Sequence, residues 1–113
     1  MVLKLKRIID PKPTEFPDMI SFLYEKGSTE FRFEDINKNT KHIPVEEVDS
    51  FEMDILNLVY TSIEDNLKHV HGMKAIRYNK EKDEFRLEYV YGSGNYSHLD
   101  IQRRKVYFIN GIF

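Results

Sequence analysis

Hydrophobic and polar residues alternate at both ends of this chain, and a different rhythm is set in its middle. From Val2 to Ile9 the pattern begins as Leu3 and Leu5 against Lys4 and Lys6. This period of two predicts a strand, with the outward lysines suited to a sheet edge. Asp10-Pro11-Lys12-Pro13-Thr14, with Pro17 close behind, reads as a loop, because proline fixes φ and removes a backbone donor.

The next segment is open between two states. Phe16, Met19, Ile20, Leu23 and Tyr24 fit helical spacing, whereas Ile20, Phe22 and Tyr24 fit one face of a strand. Residues 17–26 are therefore strand or helix by periodicity alone. An internal match favours the strand. Tyr24–Ile36 aligns without gaps on Tyr78–Val90, with six identical positions: Tyr24/Tyr78, Lys26/Lys80, Glu30/Glu84, Phe31/Phe85, Arg32/Arg86 and Glu34/Glu88. The second copy alternates Phe85, Leu87, Tyr89 and Tyr91 with polar residues after a polar turn, which predicts a β-hairpin. The first copy then reads as a hairpin too.

Thr40–Val45 predicts a short strand ended by Pro44. From Asp49 to His71 the spacing predicts a long amphipathic helix. Phe51, Ile55, Leu58, Val59, Ile63 and Leu67 recur at threes and fours, and Asp49 with Glu52 resembles a capping box. Lys68, His69 and His71 would close its last turn, with Gly72 as the stop. Gly92-Ser93-Gly94-Asn95 is a turn. Tyr96–Phe108 is strand-like, with a phase break at Arg103-Arg104-Lys105 that calls for a bulge or turn. The expected fold is a single α+β domain over residues 1–113, an antiparallel sheet of five to six strands packed on one long helix.

Charge sharpens this picture. Residues 44–66 hold seven carboxylates and no lysine or arginine, while the whole chain has a net charge of −2. The residues are Glu46, Glu47, Asp49, Glu52, Asp54, Glu64 and Asp65. On a helix they would form an anionic surface for a basic protein partner, as in inhibitor or immunity-type modules. Such a surface speeds and orients encounter more than it adds affinity. The alternative is single-stranded nucleic acid binding on a basic, tyrosine-rich sheet, through Arg77, Arg86, Arg103, Arg104 and Lys105 with Tyr78 and Tyr89. Interspersed Glu81, Asp83, Glu84 and Glu88, and a sequence pI near 6.1, argue against it. A homodimer is the third expectation.

Chemistry is not signalled. Cysteine is absent, which removes thiol nucleophiles and thiolate metal ligands and fits a reducing, cytoplasmic setting. His69 and His71 would diverge on a helix, and His42 and His98 stand apart in sequence, so no metal site is expected. The glycine-rich turn lacks the Lys-Ser/Thr of a phosphate-binding loop. Ser97, His98 and Asp100 carry triad residue types, but strand neighbours point to alternate faces. No catalytic residue and no cofactor are expected. Neither a signal peptide nor an apolar run long enough for a membrane span is read from the chain. The expected role is binding.

Overall fold

The computed structural model describes residues 2–64 and 66–113, leaving aside the side chain of Pro11. It is built almost wholly of strand. The first half contributes β1 (Val2–Arg7), β2 (Asp10–Pro17), β3 (Met19–Glu25), β4 (Glu30–Asp35), β5 (Thr40–Pro44) and β6 (Val48–Asp54). The second contributes β7 (Asn57–Ser62), β8 (Lys68–Val70), β9 (Met73–Asn79), β10 (Glu84–Tyr91), β11 (Asn95–Gln102) and β12 (Val106–Ile112). Two 3₁₀ turns, Val45–Glu47 and Arg103–Lys105, precede β6 and β12.

The expected α+β fold is overturned, because the helix from Asp49 to His71 does not exist. Its residues form β6, β7 and β8. The spacing misleads for a definite reason. Phe51, Met53 and Ile55 are buried on odd positions, while Leu58, Tyr60 and Ser62 are buried on even ones. Two alternating runs of opposite phase, joined at Leu56-Asn57, produce intervals of three and four that imitate a helix. The capping-box pair is instead cross-strand: Asp49 bonds Lys6 and Glu52 bonds Arg77. The prolines of residues 10–17 likewise do not make a loop. They lie in β2, an edge strand, where proline is tolerated because one side of the strand needs no donors. Strand β1 is interior, between β6 and β2, and residues 19–25 are strand.

The strands form two antiparallel six-stranded sheets, ordered β11-β10-β9-β6-β1-β2 and β5-β4-β3-β12-β7-β8. Their inner faces close on one core, in the manner of a β-sandwich. At its centre, the Phe31 ring lies 4.9–5.9 Å from those of Phe22, Tyr24, Phe51, Tyr78 and Phe85, which come from both sheets.

The order of strands repeats. Replacing β1–β6 by β7–β12, and the reverse, converts one sheet into the other. The equivalence extends to register. Leu3↔Met53↔Ile76 in the first sheet corresponds to Leu58↔Gly111↔Phe22 in the second. Both hairpins of the internal match, β3–β4 and β9–β10, carry a register shift at the same place, beside Met19 and Met73. Asp18 and Gly72, with φ of 63° and 66°, make matching turns whose carbonyls accept from Ile36 and Val90. Each half therefore gives three strands to each sheet, and the 3₁₀ turns carry the chain across. That crossing is the physical content of the phase break at Arg103-Arg104-Lys105.

Candidate binding surface

Because side chains alternate, each sheet shows an outer face to solvent. Across the first sheet one row of directly paired positions reads Glu15, Lys4, Glu52, Arg77, Arg86, Asp100. Equivalent positions of the second sheet read His69, Val59, Asn110, Leu23, Arg32, His42. One backbone thus supports a row of charges on one face and a mostly neutral row on the other.

The charged row is cross-linked. Arg77 bonds Glu52 at 3.0 Å and also Glu88, and Arg86 grips Asp100 through two bonds of 2.9 and 3.2 Å. The Arg86 hydrogen bond holds the Asp100 carboxyl below the usual carboxylate range. A groove of about 510 Å³ crosses this face, lined by Lys4, Lys6, Arg77, Lys82 and Arg86 against Glu52 and Glu84. Lys6 bonds Asp49. Among the described residues, no carboxylate lies within ion-pair distance of Lys4 or Lys82. The groove therefore holds two ammonium groups outside any close ion pair, Lys82 acting on Asp100 only at longer range, beside two guanidinium groups bonded to carboxylates.

The carboxylates expected to form an anionic helix are dispersed over other elements. Glu46 and Glu47 sit on the first 3₁₀ turn, Asp49, Glu52 and Asp54 on β6, and Glu64 after β7. Most face a cation of a neighbouring element: Glu47 meets Arg7, Asp49 meets Lys6, Glu52 meets Arg77 and Glu64 meets Lys105. Asp54 accepts from the Val2 backbone, and Glu46 is exposed. Asp65 lies outside the described residues. The acidic run in sequence is thus matched by basic residues elsewhere in the chain.

The residues of the nucleic-acid alternative separate into groups. Arg77 and Arg86 share the groove. Tyr78 is buried, and Tyr89 packs partly against the core. Arg104 and Lys105 belong to the second 3₁₀ turn. Arg103 closes a polar clamp at the end of the core: it donates to Asp83 at 2.7 and 3.1 Å and to the Tyr24 hydroxyl at 3.0 Å. The Tyr78 hydroxyl donates to the same Asp83 oxygen at 2.7 Å. Burial and the Asp83 carboxylate push the Tyr78 hydroxyl well above its ordinary value. Burial alone would raise Asp83, but hydrogen bonds from Arg103 and Tyr78 outweigh it and hold the carboxyl low.

Every group in the clamp has a partner, so it is a fastening, and its removal has a predictable cost. Asp83→Asn keeps a residue that tolerates the local φ of 49° and removes the charge. Asp83 is 41% exposed, so screening limits the expected loss to about 1–2 kcal/mol at neutral pH. A lowered carboxyl pKa stabilises above the unfolded value near ~3.9 and stops doing so as pH falls through the folded value. The gap between variant and parent should therefore narrow as pH falls below the unfolded value. Urea titrations at pH 7 and pH 3 measure it.

The histidines also differ from expectation. On and beside β8, residues two apart share a face, so the His69 and His71 rings stack at 6.2 Å. His71 Nδ1 lies 3.0 Å from Asn57 Oδ1. Among the described residues, no group of three His, Cys, Asp or Glu side chains could hold a metal ion. No helix among them is long and apolar enough to cross a membrane. No protein-family model, no curated protein and no solved structure matches this chain.

Proposed function

We propose that this is a non-catalytic binding protein whose partner, an acidic protein segment, lies across the outer face of the first sheet. One observation carries the reading. Equivalent backbone positions hold charges on that face and Val59, Asn110 and Leu23 on the other, so the fold itself does not require the charges. Of the five cations lining the groove, Lys6, Arg77 and Arg86 are paired with carboxylates, so the attraction for an anionic ligand rests on Lys4 and Lys82. The aromatic side chains lining the groove are Phe51 and Tyr78, both buried, so bases would have no ring to stack on. The cysteine-free composition supports a cytoplasmic setting.

The test is binding at low and moderate salt to an immobilised poly-glutamate peptide and to a single-stranded oligonucleotide. Peptide capture that weakens with salt is expected. The double variant Lys4→Glu, Lys82→Glu should weaken it by about tenfold or more, with an unchanged circular dichroism spectrum. Unchanged affinity, or preference for the oligonucleotide, overturns the proposal. A second reading, a basic protein partner, rests on Glu46 and Glu47. They occupy the first 3₁₀ turn where the equivalent turn carries Arg104 and Lys105. Loss of a basic partner on Glu46→Lys, Glu47→Lys would select it.

A further inference from the structure

Four strands end the two sheets, and three of them are blunted. Strand β2 carries Pro13 and Pro17, β5 has five residues with Lys41 and a terminal Pro44, and β8 has three residues. Strand β11 is different. It has eight residues, pairs with β10 without interruption, and contains no proline, lysine or arginine. Leu99 and Tyr96 on it are 40% and 62% exposed. A long edge of this kind is a template for another strand.

The backbone phase is fixed. The Val90 N–H bonds Gly72, on the β9 side, so even residues of β10 point toward β9 and odd ones toward β11. The odd residues of β11 therefore exchange bonds with β10. Tyr96, His98, Asp100 and Gln102 present their N–H and C=O groups to the open edge.

We propose that this edge pairs antiparallel with β11 of a second copy of the chain, about a two-fold axis through Leu99, joining the two first sheets into one. The register is self-complementary. Leu99 faces Leu99 of the second copy, on the apolar side. His98 faces Asp100 of the second copy, and Asp100 faces its His98, so an imidazole N–H meets a carboxylate twice. His98 and Asp100 already lie on one side of the strand, 3.7 Å apart, with Asp100 fixed by Arg86. His98–Asp100 and Tyr96–Gln102 become the hydrogen-bonded pairs, which are the residues whose backbone groups are free. Leu99 becomes a non-hydrogen-bonded pair, with Cα atoms about 4.5 Å apart.

The chain has no cysteine, so Leu99→Cys supplies a single thiol. That spacing is within reach of a disulfide. Light scattering from about 10 μM to about 1 mM should show a monomer–dimer equilibrium. Mild oxidation should cross-link Leu99→Cys much faster than a control thiol placed by Ser93→Cys at the exposed β10–β11 turn. Leu99→Lys, which sets two ammonium groups face to face, should raise the dimer dissociation constant at least about tenfold while the thermal transition of the monomer stays in place. A monomer at every concentration overturns the proposal. So does a dimer in which the cysteine at 99 links no faster than the control, which would locate the interface elsewhere.

Discussion

Phe31→Ala is expected to cost about 3–5 kcal/mol, the range for removing a fully buried phenylalanine. Phe31 is 0% exposed, and its ring is surrounded by five others drawn from both sheets. Truncation removes its apolar surface from the core and also leaves the edge-to-face partners Tyr24, Phe51, Tyr78 and Phe85 without their common neighbour. Central strands on either side hold those rings in place, so collapse into the vacancy is limited. Domains of this size are stable by about 5–15 kcal/mol, so the loss removes a large share of the total and reaches the unfolding transition only if the parent lies at the low end of that range. Chemical denaturation followed by tyrosine fluorescence measures the change. A loss under about 1 kcal/mol would show that the two sheets do not close on a common aromatic core. The same truncation at Phe85, which occupies the equivalent place in the second half, should cost a comparable amount.

The hairpins β3–β4 and β9–β10 were legible in the sequence because their alternation is regular and the match between Tyr24–Ile36 and Tyr78–Val90 reinforces it. The central third was not legible. There Ile55 and Leu58 fall on opposite phases across a connection with neither glycine nor proline to announce it, and a helix is the simplest pattern that joins them. Only burial separates the two cases. Tyr60 and Ser62 are inward, and neither belongs to the helical stripe. The acidic run misled for a related reason. A helix would have set its carboxylates on one surface, whereas strands distribute them among neighbours. Asp49, Glu52 and Glu64 then find Lys6, Arg77 and Lys105, which are remote in sequence. The groove could not be read either, because Lys4, Arg77 and Arg86 come together only through pairing of β1, β6, β9 and β10. What the internal match did contain, and its 13 positions understate, is the symmetry of the whole fold.

That symmetry predicts that the chain cut between Ile55 and Leu56 will reassemble from its two fragments. Each fragment alone supplies three strands to each sheet, and the β6–β9 and β3–β12 ladders that join them are lost. Residues 1–55 or 56–113 alone should therefore be largely unstructured at low concentration, because neither can cover its aromatic residues. The cut spares local bonding: the Leu56 N–H donates to Ile112, and its carbonyl accepts from Met73, both within the second fragment. Mixing should restore the parent spectrum. The mixed pair should also prevail over two copies of one fragment, because the halves differ in size where they meet. Met53 lies opposite Ile76, while Gly111 lies opposite Phe22, with Ile55 only 3.1 Å from where a Cβ on residue 111 would stand. Pairing 1–55 with itself would set Met53 against Phe22, an overpacked contact. Pairing 56–113 with itself would set Gly111 against Ile76 and leave a void. Overpacking costs about 1–3 kcal/mol and cavities cost comparably, in each case twice by symmetry. Equimolar fragments should give a 1:1 complex by native mass spectrometry, with neither self-pair abundant. Folded fragments in isolation would instead mean that each half closes its own core, and the exchange of strands between the sheets would be wrong.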